Sequence, residues 1–146
     1  MDLSGLKWPL IIVIVVAIGW LASSGGVNWM VGQATKNAPG QDAAQDVKDE
    51  ARLSTIGGYL MTLWRYERAA EVLNTCFARY GASGANYWHN KYRMVKCQEK
   101  LGNYQQAFNI LQELLAGQAW TYDSRVPEMD NLSLRATKLK ELHELP

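Results

Sequence analysis

At 146 residues, 48% of them apolar and 20% charged, the chain has the composition of one folded domain and not of a disordered segment. Its formal net charge of +1 lacks the basic excess on which nucleic-acid binding relies. Cys76, Cys97, His89 and His143 form no CxxC, no haem-attachment CxxCH and no zinc-type spacing, which argues against a redox or metal function.

The apolar residues are concentrated near the start. "WPLIIVIVVAIGWLA", residues 8–22, contains no ionisable side chain, and the remainder of the chain is a rather polar stretch of small-domain size. The run is short for a spanning helix of about 20 residues and close in length to a signal-peptide core. Cleavage is favoured by Ala22 and Ser24, small enough for a signal peptidase, and disfavoured because Lys7 and the amino terminus face Asp2. An uncleaved anchor over residues 1–30 is favoured by the uncharged stretch 23–27, through which the helix can continue. Trp8 and Trp29 then lie roughly 30 Å apart, one at each lipid–water interface of the bilayer. On such a helix Gly19 with Ser23, and Ala22 with Gly26, are small-xxx-small pairs that let a neighbouring helix approach closely. The same glycines would also suit a hinge. The expectation is a packed anchor, its N-terminus cytoplasmic by the positive-inside rule and the rest extracytoplasmic, which in a bacterium means periplasmic.

A Gly-, Asn- and Pro-containing linker over 31–41 precedes a helical domain over 42–146. Asp42 with Gln45 fits a capping-box start. No segment alternates with the strand period, and breaks at 63–65, 81–86, 102–103 and 117–127 predict about four helices and a fifth near the end. The expected class is all-α.

Two stretches of this domain repeat. "LWRYERAAEVLNTCF" places Tyr66 three residues before Ala69 and Leu73 four after it; "LGNYQQAFNILQELL" does the same with Tyr104, Ala107 and Leu111, 38 positions on. With Leu53, Ile56, Gly57 and Leu60 ahead of the first, and Gly102 at the turn of the second, the pattern over 51–118 resembles the tetratricopeptide repeat family. Trp64 departs from it by replacing the turn glycine, Val95 by filling a small position, and Gly81 and Gly117 by standing where proline is usual. The resemblance implies two stacked helix-turn-helix units in which Ala69 answers Gly57. Gly102 would permit a tight turn, Tyr104 would pack over it, and Ala107 would let the helices touch. Two units leave faces uncovered, so the last helix is expected to cap them with Leu132, Arg135, Leu139 and Leu142 on one side.

Chemistry is thinly supplied: there is no HExxH, phosphate-binding Gly-rich loop or paired-carboxylate spacing. No catalytic, cofactor-binding or metal residue is expected, and no cofactor or small-molecule substrate. Cys76 and Cys97 fall on elements that stack in this family, so they form either a disulfide in an oxidising compartment or two buried thiols. "NYWHNKYRMVKCQEK" combines Tyr87, Trp88 and Tyr92 with Lys91, Arg93 and Lys96, and reads either as a surface for lipid headgroups or an acidic partner, or as core aromatics beside solvated cations. The Asn131-Leu132-Ser133 sequon is expected by chance.

The resemblance implies protein–protein interaction. With the small-residue anchor it suggests a non-catalytic accessory or scaffold subunit of a larger membrane complex, held by integral membrane partners through both its parts. The competing reading is a membrane-tethered periplasmic chaperone or recruitment adaptor that binds clients transiently. A secreted enzyme would require cleavage near Ser24.

Overall fold

A computed structural model describes residues 4–146, which are helical apart from turns and contain no strand. They form two compact units divided after Lys36.

In the first unit, α1 (Ser4–Ala22) is apolar all round. Its Gly5–Ala22 segment has a mean hydropathy of 2.1, buries none of its residues against protein, and is long and apolar enough to cross a membrane. The continuous helix expected from Trp8 to Trp29 does not form. Ser23 is extended (φ −73°, ψ 163°), and its Oγ accepts the Gly26 N–H at 3.3 Å, so it acts as the N-cap of a second helix, α2 (Ser24–Ala34). The corner is tight: a Cβ on Gly26 would lie 2.2 Å from the Trp20 carbonyl oxygen and 2.7 Å from the Leu21 Cα. It brings the rings of Trp20 and Trp29 to 5.8 Å between centroids. Three expectations change with it. Trp8 and Trp29 are not the two ends of one helix. The Gly19–Ser23 and Ala22–Gly26 pairs do not share one helical face. Gly26 is consumed by the chain's own turn, whereas a Cβ on Gly19 would meet nothing within 4 Å. Residues 31–34, expected in the linker, complete α2. Asp2 and the amino terminus, used above for orientation, lie outside the described residues.

The second unit contains α3 (Ala43–Thr62), α4 (Tyr66–Tyr80), α5 (Tyr87–Lys100), α6 (Tyr104–Ala116) and α7 (Met129–Leu142), each packed against the next. Asp42 caps α3 by accepting the N–H groups of Ala44 and Gln45 at 3.0 and 3.4 Å. The reciprocal half of the capping box is absent, because the Gln45 amide donates forward to Asp49.

The α3/α4 hairpin buries Leu53, Ile56 and Leu60 against Ala69, Ala70, Val72 and Leu73. Gly57 faces Leu73, whose Cδ2 would lie 2.7 Å from an added Cβ, so Leu73 and not Ala69 fills the space the glycine leaves. A second core joins Val95 of α5, Ala107, Leu111 and Leu114 of α6, and Leu132, Ala136 and Leu139 of α7. Each fully buried leucine in these cores contributes roughly 1.5–3 kcal/mol relative to exposure. Leu142 is exposed, so it does not extend the capping stripe.

Helices α3, α5 and α7 end alike. Trp64, Gly102 and Glu144 adopt φ of 56°, 79° and 50°, and the following residues, Arg65, Asn103 and Leu145, donate their N–H groups to the carbonyls of Leu60, Gln98 and Lys140 at 2.9, 2.8 and 3.0 Å. This six-to-one bond satisfies a carbonyl that the helix end leaves free. Tyr104 stacks on His143, just past the end of α7, with 3.4 Å between centroids and 9° between planes. The end of α7 is thereby tied to the start of α6.

Candidate functional site

The apolar stripe of α3, read back from Leu60 through Ile56 and Leu53, arrives at Asp49 and Glu50, and both are buried, as are Ser54 on α3 and Asn90 and Gln98 on α5. Buried polar groups require partners, and these have them. Asp49 accepts from Gln45 at 2.9 Å, Arg52 at 3.2 Å and Asn37 at 3.3 Å. Glu50 accepts the backbone N–H and side-chain amide of Asn86 at 3.0 and 2.7 Å, fixing the residue that opens α5. Ser54 donates to the Asn90 Oδ1 at 2.8 Å, and Arg93 donates to the Ser54 carbonyl at 2.9 Å. Arg125, ion-paired with Asp123 at 2.7 Å, donates to the Asn86 Oδ1 at 2.9 Å. The result is a polar seam running from α3 through the start of α5 to the loop before α7.

His89 sits beside this seam with its Nδ1 buried and unpartnered. Burial, reinforced by the positive charges of Arg93 and Arg125, pushes its pKa down to about 4, so it is neutral at physiological pH. Cys76 and Cys97 are free, buried thiols, so the structure does not form the disulfide considered above. Cys76 takes a contact from the Asn90 amide at 3.8 Å within the α3/α4 core. Burial pushes its thiol up to about 12 and that of Cys97 up to about 11. Thiols in that range carry almost no thiolate and are poor nucleophiles.

The basic, aromatic start of α5 turns inward more than a free partner surface would. Arg93 spans to α3, its guanidinium lying over Gly58, where an added Cβ would come within 2.8 Å. Tyr87 packs edge-on against Phe77 and Trp88. Trp88 stacks on Tyr122 and covers Gly117, whose added Cβ would lie 2.4 Å from the ring. Lys91 pairs with Glu113 at 2.7 Å. Tyr92 accepts a hydrogen bond from Arg135 at 2.9 Å. Lys96 alone of the six is exposed, its ammonium 4.8 Å from the Tyr92 centroid.

Two open clefts lie on the side formed by α3, α5 and α7. One, of about 310 Å³, is lined by Met61, Thr62, Lys96 and Lys100; the other, of about 480 Å³, by Tyr92, Asn131 and Lys138. Both share the pair Glu99–Arg135, in which the carboxylate holds the guanidinium pKa above its ordinary value. Lys100 and Lys138 are exposed and make no ion pair among the described residues. Tyr66 lines the smaller cleft.

Among the described residues no group of three or more His, Cys, Asp or Glu side chains is placed to hold a metal. The buried carboxylates are occupied by structural hydrogen bonds. No protein-family model, curated protein or solved structure was found to match the chain.

Proposed function

We propose that the chain is a non-catalytic accessory or scaffold subunit of a membrane protein complex, anchored by α1 and presenting a tetratricopeptide-like helical stack to its partners. The observation that carries this reading is the Gly5–Ala22 helix, unburied and free of charge from Trp8 onward, attached to a domain whose buried carboxylates, Asp49 and Glu50, are held by structural hydrogen bonds. A helix of that composition requires lipid or another protein around it. The anchor is oriented with Lys7 toward the cytoplasm and the helical domain outside it.

The partner-facing side in this reading is the one with the two clefts. Lys96, Lys100 and Lys138 there favour a partner that brings acidic groups, because charge complementarity across an interface steers encounter and fixes register. Purification of the tagged, natively expressed chain in mild detergent, with mass spectrometry of what accompanies it, tests the reading. Integral membrane partners in stoichiometric amount support it, and the triple substitution Lys96→Glu, Lys100→Glu, Lys138→Glu is expected to remove them while membrane association persists. Recovery alone, or with many substoichiometric soluble proteins, would count against a subunit and for a tethered chaperone.

A further inference from the structure

We propose that the elbow between α1 and α2 is a membrane-interface site, holding Trp20 and Trp29 together at one lipid headgroup–acyl boundary. The inference rests on α1 being a membrane anchor, as argued above.

The length of α1 sets the position. The Gly5–Ala22 segment, with Lys7 near its start able to extend toward the headgroups, spans about 27 Å at 1.5 Å per residue, close to the thickness of a hydrocarbon core. It therefore runs out one residue before the break at Ser23. Were the helix continuous, Trp29 would lie about 13 Å beyond Trp20 along the axis, out past the boundary that Ala22 marks. The elbow removes that difference by bringing the two rings to 5.8 Å. Each ring remains about half exposed, 48% for Trp20 and 53% for Trp29, so the protein leaves both indoles open to their surroundings. An indole combines an apolar body with one N–H donor, and the headgroup boundary suits both halves.

The backbone supplies a second, independent argument. Breaking a helix inside hydrocarbon frees polar groups at a cost of several kcal/mol each. Here the break falls at "SSGG", and the Ser23 hydroxyl donates to the Trp20 carbonyl while its oxygen accepts the Gly26 N–H. The corner thus draws on its own serine for two hydrogen bonds, and it falls at the end of the apolar segment. Gly26 makes the geometry possible, since any Cβ there would strike the Trp20 backbone.

The test uses the full chain reconstituted in vesicles of phosphatidylcholine with phosphatidylglycerol. Flotation first establishes membrane association. Fluorescence quenching is then compared between a nitroxide near the headgroup and one deep in the acyl chain, for the parent chain and for Trp20→Phe and Trp29→Phe. The expected result is that each substitution removes emission quenched chiefly by the shallow probe, to the same extent for both. Gly26→Leu, checked for retained helical content by circular dichroism, is expected to lower the shallow-probe quenching that Trp29→Phe removes. Floating protein in which Trp20 is already quenched chiefly by the deep probe, or Trp29 by neither, overturns the elbow site while leaving the anchor reading intact. Protein that does not float overturns both.

Discussion

Gly57 offers the sharpest test of how the first hairpin is packed. Replacing a mid-helix glycine by alanine normally gains about 0.8–1.0 kcal/mol through helix propensity. At Gly57 the new methyl would lie 2.7 Å from the Leu73 Cδ2 and 3.1 Å from its Cγ, and Leu73 is fully buried with little room to retreat. Overpacking of this kind costs about 1–3 kcal/mol, so the two effects leave Gly57→Ala destabilised by about 1 kcal/mol. For a domain of this size that corresponds to a fall in Tm of roughly 4–8 °C. The assay is thermal unfolding of the full chain in mild detergent, followed by circular dichroism at 222 nm (a wavelength chosen for its sensitivity to helix). Leu73→Ala alone is expected to cost about 2–5 kcal/mol. In the double variant the added methyl enters part of the space that the shortened Leu73 side chain vacates, so the combined loss should be smaller than the sum. A rise in Tm for Gly57→Ala, or strict additivity with Leu73→Ala, would refute the close approach of α3 to α4 at this point.

Three other consequences can be measured on the same material. His89 has a folded-state pKa lowered to about 4 against an ordinary 6.5, so the unfolded chain binds its proton first. The stability it contributes is therefore complete above pH 6.5 and is lost as pH falls from 6.5 toward 4; His89→Asn should flatten that part of the Tm–pH profile, and an unchanged slope would exclude the buried neutral imidazole. The thiols of Cys76 and Cys97, raised by burial, should resist a disulfide reagent at about pH 8 in the native state and both react after denaturation without reductant; fewer than two thiols released would restore the disulfide. Trp64 holds φ of 56° while 80% exposed, so Trp64→Gly relieves a left-handed conformation at little loss of burial and should stabilise the domain by about 1 kcal/mol; a loss of stability would mean that the indole packs in a way the structure does not show.

The helices of the second unit were legible because apolar period and turn residues agree there. The breaks expected at 63–65, 81–86, 102–103 and 117–127 all fall between observed helices. What misled was a choice between local signals of similar strength. In "LASSGG" the absence of charge favours continuing the helix, whereas Ser23 with two glycines favours capping a new one, and composition alone does not rank them. The basic aromatic stretch of α5 is ambiguous in the sequence for another reason. Arg93, Lys91 and Tyr92 have polar ends that reach Ser54, Glu113 and Arg135, partners 39, 22 and 43 positions away, and such pairings exist only once the helices have packed together.

The polar seam had a signal that hydrophobic periodicity overlooks. Moving from Leu60 toward the start of α3 by three or four residues at a time gives Ile56, Leu53 and then Asp49 and Glu50, so the inward face continues but turns ionisable. Val47, the apolar residue nearby, lies off that face and is exposed. The same step along α5 from Met94 reaches Asn90, also buried. Two helices thus become polar on their inward faces toward the same end of the hairpin pair, and the side chains found there satisfy one another. An apolar interior tolerates sliding of one helix along another, whereas displacing Glu50 from both donors of Asn86 would strand a buried carboxylate. We therefore assign the seam to fixing the register of α5 against α3, which also fixes where Lys96 and Lys100 stand on the face proposed for the partner.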